Sequence, residues 1–78
     1  MKTTRYFDAV RMRADRSVIQ DTWILRAIAH PEHESRQRDG RIRRWIRVPE
    51  RGDRWLRVVL LADGETVHNA FFDRGFKP

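Results

Sequence analysis

The apolar residues between positions 19 and 28 have the spacing of a helix. They recur at intervals of three and four residues, which places them along one side of a helix. They are Ile19, Trp23, Ile24, Ala27 and Ile28. Ser17, with Gln20 three residues later, resembles a capping box at the start of this helix, and Asp15 is a rival cap. Pro31 disfavours helical backbone at the preceding residue, so the helix is predicted to end near His30.

The segments on either side of this helix are less regular. In residues 3 to 14, Tyr6, Phe7 and Val10 have helical spacing, but Tyr6, Val10 and Met12 would also line one side of a strand. A helix is the favoured interpretation, and a strand is the alternative. Residues 31 to 40 are polar and end in Asp-Gly, a turn signal, so they are predicted to form a loop.

From residue 41 onward, apolar and polar residues alternate with a period of two. The runs RIRRWIRV, RWLRVVLLA and ETVHNAFF are separated by PERGD and by Asp63-Gly64, which predicts three antiparallel strands joined by hairpins. With PERGD as the first loop, Ile46 faces Leu56 and Trp45 faces Arg57. With Asp63 and Gly64 as the whole second loop, the alignment gives the pairs Leu60 with Val67, Val59 with His68, Arg57 with Ala70, and Leu56 with Phe71.

These registers sort the strand residues into two faces, because directly opposed residues point the same way. The face predicted to lie under the helix contains Ile42, Ile46, Val48, Leu56, Val58, Leu60, Val67 and Phe71, interrupted by Arg44 and Asn69. The other face contains Arg41, Arg43, Trp45, Arg47, Trp55, Arg57, Val59, Leu61, His68, Ala70 and Phe72. A shift of one residue in the first strand would bury unpaired arginines under the helix, at a cost of several kcal/mol, which favours the register given.

The predicted fold class is α+β, with one or two N-terminal helices packed on one face of a three-stranded antiparallel sheet, or alternatively a four-stranded one. Residues 1–78 are predicted to form a single domain, since a chain of this length supports one thin core. Its parts are a helical part at 3–30, a loop at 31–40, the sheet at 41–72 and a tail at 73–78.

The composition narrows the function classes. Without cysteine, the chain has no disulfide, no thiolate nucleophile and no cysteine zinc site. No apolar run reaches secretory or membrane-spanning length, so we expect a cytoplasmic protein with no membrane partner. The segment from His30 to Glu34 lacks the HExxH spacing of a zinc site. We therefore predict neither a metal nor a cofactor.

The charge is concentrated in one segment. The net charge is +6, and residues 36 to 57 hold nine of the fifteen arginines with only three acids. Because neutralising phosphates and releasing counterions drives nucleic-acid binding, this segment predicts an RNA contact. The residues predicted to bind RNA are Arg41, Trp45, Arg47, Trp55, Arg74 and Lys77, the last two from a tail that could equally be frayed. Alternatively, the tryptophans pack under the N-terminal segment or in a dimer interface.

His68 is the only histidine predicted on a strand of the basic face. An imidazole can exchange a proton near neutral pH, and neighbouring guanidinium groups can stabilise charge on a phosphate. Cleavage of RNA by its own 2′-hydroxyl needs only these two roles in the correct geometry. His68, Arg57 and Arg43 are therefore the predicted catalytic residues. The alternative is a structural histidine that is simply hydrogen-bonded on its strand.

The chain resembles two groups of proteins, the first in its sequence and the second in its predicted fold. The run DGRIRRWIRVPE, followed by LRVVLLADGETVHNAFFDRGFK, resembles a widespread group of very small uncharacterised bacterial proteins, whose pattern also includes Trp23 and RADRS. The general plan is similar, at the level of the fold, to RelE-type mRNA-cleaving toxins of toxin-antitoxin pairs. This plan consists of short helices, an arginine-rich junction and then an antiparallel sheet.

The toxin resemblance implies a compact ribonuclease that a small antitoxin encoded alongside would block. His68 then matches the group that transfers a proton, and Arg57 and Arg43 match the arginines that hold the scissile phosphate. Such toxins often have a catalytic tyrosine or lysine near the C-terminus. Here only Lys77 lies there, and the sole tyrosine is Tyr6, so the chain departs from that pattern.

The predicted function is a toxin-like, metal-independent endoribonuclease or RNA-binding protein of a bacterial toxin-antitoxin pair. Its expected partners are RNA, including ribosome-bound mRNA, and a small acidic antitoxin. One alternative is a nucleic-acid-binding module without catalysis. Another is a protein-interaction module, in which Trp45, Trp55 and Phe72 form an apolar patch for a homodimer or an acidic partner.

Overall fold

The computed structural model describes residues 1–78 and has an α+β fold, as predicted. Three short helices precede one sheet, in which each strand pairs antiparallel with the next in the order β1-β2-β3-β4. The helices are α1 (Arg5–Val10), α2 (Ala14–Ser17) and α3 (Asp21–Ala29). The strands are β1 (His33–Arg36), β2 (Ile42–Val48), β3 (Arg54–Leu60) and β4 (Val67–Phe72).

Helix α1 settles the ambiguity of residues 3 to 14 in favour of a helix. Thr4 is its N-cap, and the Phe7 backbone N–H donates to the Thr4 hydroxyl at 3.1 Å, which satisfies one of the free amides of the first turn. Immediately before the helix, Thr3 forms an isolated parallel bridge with Val67 of β4. The start of the chain is thereby attached to the edge of the sheet.

The predicted capping box at Ser17 and Gln20 is wrong. Ser17 is the last residue of α2, and its hydroxyl donates to the Ala14 carbonyl at 3.3 Å. Gln20 is itself the N-cap of α3, in extended conformation and without a side-chain hydrogen bond. The predicted end of this helix is confirmed, because His30 is its C-cap directly before the proline.

The predicted loop at residues 31 to 40 is wrong in part, because it contains strand β1. His33 pairs with Trp45 and Arg36 pairs with Ile42, so β1 forms an edge of the sheet. Only Ser35 in this strand is even half-buried. Backbone hydrogen bonds hold an edge strand of this kind in place, so neither of its faces needs to be apolar. The sequence HESR therefore has no alternation of apolar and polar residues.

The register between β2 and β3 is confirmed, including the pairs of Ile46 with Leu56 and Trp45 with Arg57. The PERGD loop is also confirmed, since a 3-10 turn at Pro49–Arg51 is followed by Gly52 and Asp53 with positive φ.

The register between β3 and β4 is correct only at its first pair, Leu60 with Val67. A β-bulge at His68 shifts every later pair by one residue, so that the observed pairs are Val59 with Asn69, Val58 with Ala70, Arg57 with Phe71, and Leu56 with Phe72. The Val59–His68, Arg57–Ala70 and Leu56–Phe71 pairs were therefore wrong. Ala70 and Phe72 face the core instead of the basic face, and Asn69 and Phe71 exchange places with them.

The core lies between the helices and one face of the sheet, as expected. Its thirteen buried residues are Phe7, Ile19, Trp23, Ile24, Ala27, Ile42, Ile46, Val48, Leu56, Val58, Leu60, Val67 and Ala70. Arg44, which interrupts the apolar face, has partners there, since it donates to the Glu34 carboxylate at 2.6 Å and to the Ile28 carbonyl at 2.8 Å. No helix is both long and apolar enough to cross a bilayer.

Candidate functional site

The candidate site lies on the sheet face that the helices leave uncovered, which we call the basic face. Cross-strand pairing places three rows of side chains there, each with an arginine, and two of the rows also contain aromatic residues. The members of this face are His33, Ser35, Arg41, Arg43, Trp45, Arg47, Trp55, Arg57, Val59, His68, Asn69 and Phe71. A cleft lies at one end of the face and an aromatic cluster at the other.

The cleft, which we call the His68 cleft, has a volume of about 350 Å³. It is lined by Tyr6, Gln37, Arg41, Arg57, Val59, His68, Asn69 and Phe71. Three of the residues predicted from the sequence are thus brought together here: His68, Arg57 and Arg41. Arg43, the third predicted catalytic residue, does not line the cleft. Its floor is the buried Val59, so polar groups surround a small apolar patch.

His68 is held in the cleft from two sides. Its Nδ1 lies 3.0 Å from the Thr4 hydroxyl oxygen, and its ring stacks on Tyr6 with 4.9 Å between the ring centroids and 24° between their planes. Because Nδ1 is engaged by Thr4, Nε2 is the nitrogen without a protein partner. The ring therefore has a defined orientation and one free nitrogen for a ligand.

The surroundings of His68 favour its neutral form. Partial burial and, second, the positive charge of Arg41 lower the pKa of His68 below its ordinary value of 6.5, against an opposing effect of Asp39. An imidazole that is mostly neutral at pH 7 can accept a proton.

The charge of Arg57 is already balanced within the protein. Its Nε and Nη2 lie 3.0 and 2.8 Å from one carboxylate oxygen of Asp73, which also accepts from the Trp45 indole at 3.0 Å. Burial alone would raise the pKa of Asp73, but the hydrogen bonds from Trp45 and Arg57 outweigh it and the pKa is lowered. Asp73 is therefore ionised, and a phosphate at Arg57 would compete with it.

Arg43, by contrast, has no acidic partner. It is half-buried in the middle of the basic face, between Ser35 on β1 and Val59 on β3. Its Nε and the Ser35 hydroxyl are buried without hydrogen-bond partners. Arg41 has only a distant contact with Asp39, at 3.6 Å. The uncompensated positive charge of this face therefore comes from Arg43 and Arg41 more than from Arg57.

The aromatic cluster consists of His33, Trp45, Trp55 and Phe76. Phe76, from the C-terminal tail, stacks on Trp45 with 4.3 Å between centroids and 13° between planes, and contacts Trp55 and His33 edge-on. Trp45 is only 5% exposed, so its ring is not free to stack on a base. Trp55 is half-buried, and the Arg47 guanidinium lies 4.8 Å from its ring centroid.

The remaining predicted residues lie apart from the cleft. Arg74 and Lys77 are exposed in the tail, where Arg74 lines a separate groove near Arg54. Trp45, Trp55 and Phe72 do not share one face, because Phe72 lies on the core side of the sheet, although Trp55 and Phe72 both line the groove that contains Arg74. The predicted make-up of the patch is therefore wrong, and the protein-interaction alternative itself stays a prediction.

Several residues of the site were missed from the sequence. Tyr6 and Thr4 reach His68 from the start of α1, and Asp73 and Phe76 reach the arginines and tryptophans from the tail. Thr4, which precedes Phe7 by three residues, carried the signal of an N-cap and could have shown where α1 starts. No local signal indicated the tail contacts.

Comparison of the chain with family models, with curated proteins and with solved structures finds no match. The resemblance to RelE-type toxins therefore stays a prediction.

Proposed function

We propose that this protein binds RNA on its basic face and cleaves it in the His68 cleft without a metal, as a toxin-like endoribonuclease. The observation that supports this most is the geometry of His68. Its ring is fixed by Thr4 and Tyr6, and its free nitrogen belongs to a cleft that Arg41 also lines. Cleavage by the ribose 2′-hydroxyl needs a base and a cation beside the phosphate, and a neutral imidazole next to an arginine can supply both.

The reaction uses His68 as the base. The Thr4 oxygen has two lone pairs, so it can accept from both the Phe7 amide and the Nδ1–H of His68, which leaves the lone pair on Nε2. Nε2 takes the proton of the 2′-hydroxyl, and the 2′-oxygen forms a bond to the adjacent phosphorus. The bond from phosphorus to the 5′-oxygen breaks, and that oxygen takes a proton from water. The hydroxide left behind takes the proton from His68, which restores the neutral imidazole. The products are a 2′,3′-cyclic phosphate and a 5′-hydroxyl end.

The arginines divide the binding of the phosphate. Arg41 is best suited to the phosphate in the cleft, because its only acidic contact, with Asp39, is 3.6 Å long. Arg43 has no acidic partner but does not line the cleft, so it is suited to a neighbouring phosphate on the basic face. Arg57, which is paired with Asp73, lines the cleft and contacts the Phe71 ring. Its guanidinium carbon lies 5.0 Å from the centroid of that ring. Tyr6 is 53% exposed and offers an aromatic ring at the rim for a neighbouring base.

The test is cleavage of RNA by purified protein in the presence of a chelator, with and without ribosomes. We expect His68→Ala to lower the cleavage rate by about 10²- to 10⁴-fold, as for the loss of a general base. His30→Ala is the matched control, because His30 is exposed at the end of α3, away from the basic face. Equal rates for wild type and His68→Ala, or product ends other than a cyclic phosphate, would contradict the mechanism.

A second candidate, an RNA-binding module without catalysis, is favoured by one observation. The contact of His68 with Thr4 also ties β4 to the start of α1, which is sufficient reason for a histidine there. In that case the wild-type protein binds RNA with a strong salt dependence and leaves it intact.

A toxin-like enzyme would also bind a small acidic antitoxin. Co-purification with the product of an adjacent gene would support the toxin proposal.

A further inference from the structure

A second groove lies at the end of the sheet that is distant from His68. It has a volume of about 330 Å³ beside the turn between β2 and β3, and we call it the Arg54 groove. Arg54, Trp55, Phe72 and Arg74 form most of its wall. A hollow of about 290 Å³ shares Arg54, Phe72 and Arg74 with it and continues towards the ion pair of Asp15 and Arg16 in α2.

The groove carries a net positive charge, because its two arginines outnumber its one free carboxylate. Neither Arg54 nor Arg74 forms an ion pair. Of the two acids in the groove, Asp73 is committed to Arg57 and Trp45, which leaves Asp53 as the only free carboxylate. Two exposed guanidinium groups on one groove are suited to a phosphate.

The same groove has aromatic walls. The Arg54 guanidinium carbon lies 5.7 Å from the centroid of the Phe72 ring, and Trp55 is half-buried beside it. Aromatic rings next to arginines recognise a base and its phosphate together. The chemistry of the groove therefore fits a nucleotide better than a free inorganic anion.

The aromatic ring of Phe71 connects the two sites. Phe71 lines both the His68 cleft and the hollow next to the Arg54 groove. Its ring lies between two guanidinium groups, with Arg57 at 5.0 Å and Arg16 at 5.2 Å from its centroid. Along β3, the residues from Arg54 to Val59 span about 17 Å at about 3.3 Å per residue. One extended RNA strand could occupy both sites.

We propose that the Arg54 groove is a second RNA subsite, which binds a nucleotide that flanks the one held in the His68 cleft on the same strand. This inference rests on the proposed function. Arg54 and Arg74 hold the phosphate of the flanking nucleotide, and its base contacts Phe72 and Trp55. The substrate is therefore a single-stranded segment long enough to reach both sites, and a very short RNA would use the cleft alone.

The experiment measures binding of labelled single-stranded RNAs of about three and about ten nucleotides by fluorescence anisotropy at several salt concentrations. The double variant Arg54→Gln/Arg74→Gln is compared with Lys2→Gln/Arg26→Gln, which removes the same charge from residues that line neither site. We expect the first variant to bind the long RNA about tenfold or more weakly than the control variant does. Its salt slope should be smaller by about one, for the lost phosphate contact. Binding of the short RNA should be equal in both.

The outcomes separate the subsite from the proposed function. If the wild-type protein binds the long RNA but both double variants bind it equally, the subsite is wrong and the cleft proposal stands. If the variants differ as expected but His68→Ala cleaves as fast as wild type, the subsite stands and the catalytic role is wrong. Absence of RNA binding by the wild-type protein overturns both. Circular dichroism of each variant verifies that it is folded.

Discussion

His68 owes its position to a single extra residue in β4. The bulge leaves it unpaired between Val67 and Asn69, and it lines the same cleft as Val59 and Asn69. A regular strand would instead have paired it with Val59 and kept Phe72 on the basic face. One irregular position therefore places an aromatic side chain in the core and opens the space around the imidazole.

The pKa of His68 should respond to Arg41. Since the charge of Arg41 contributes to lowering this pKa, Arg41→Gln is expected to raise it towards 6.5. Titration of the imidazole signals by two-dimensional NMR measures the shift. Arg51→Gln, which removes an equal charge from the β2–β3 turn, should leave the His68 pKa unchanged. An unchanged or lower pKa in Arg41→Gln would show that Arg41 does not act on the ring.

The same shift has a consequence for stability. The folded protein binds a proton at His68 less readily than the unfolded chain does, because its pKa is lowered. The free energy of unfolding should therefore decrease as the pH falls below 6.5, and this contribution should level off below the folded-state pKa. In Arg41→Gln the decrease should be smaller.

At the scale of elements, the tail and the N-terminal segment both contact residues of the sheet through their side chains. Thr4 accepts from Phe7 and contacts His68, so the N-cap of α1 is also a contact with β4. The tail returns across β2 and β3, where Asp73 pairs with Arg57 and Phe76 stacks on Trp45. The face opposite the helices is therefore partly covered by the chain's own end, although no helix packs on it.

Phe76→Ala tests how much the tail contributes. We expect it to lower the free energy of unfolding by about 1 to 3 kcal/mol, less than for a fully buried phenylalanine because Phe76 is only half-buried. Urea unfolding measures the loss, and the emission of tryptophan should shift to longer wavelength as Trp45 becomes exposed. Lys77→Ala, the exposed neighbour, should change neither quantity. A stability equal to wild type would mean that the tail does not hold this position in solution.

At the scale of the whole molecule, stability depends on a small core. Thirteen buried residues form it, and the chain has no disulfide to assist them. A domain of this size is expected to have a total stability of about 4 to 12 kcal/mol. Each core residue of β3 therefore contributes a large fraction of the free energy of unfolding.

Leu56→Ala should show this dependence directly. Leu56 is fully buried on the central strand β3, so its truncation is expected to cost about 2 to 5 kcal/mol. The thermal midpoint, measured by circular dichroism, should fall strongly. Leu25→Ala is the matched control, since Leu25 is 48% exposed on α3 and its truncation leaves no cavity. Equal midpoints for the two variants would indicate that the core is not arranged as described.

Local patterns were sufficient for the parts of the fold that repeat. The alternation in β2 and β3, with the PERGD turn between them, gave their register correctly. The apolar stripe of α3 and the following proline located the end of that helix. Strand β1 was missed because an edge strand of polar residues has no periodicity to detect.

The sequence by itself determined the α+β class, the separation of an apolar from a basic face, and the arginine-rich composition of the latter, because these follow from the period and chemistry of neighbouring residues. Only the tertiary structure decided which groups share a site. Contacts such as Thr4 with His68, and Phe76 with Trp45, join residues that are far apart in the chain. The bulge that places His68 likewise follows from how β4 packs on the core, and no periodic pattern specifies such a packing.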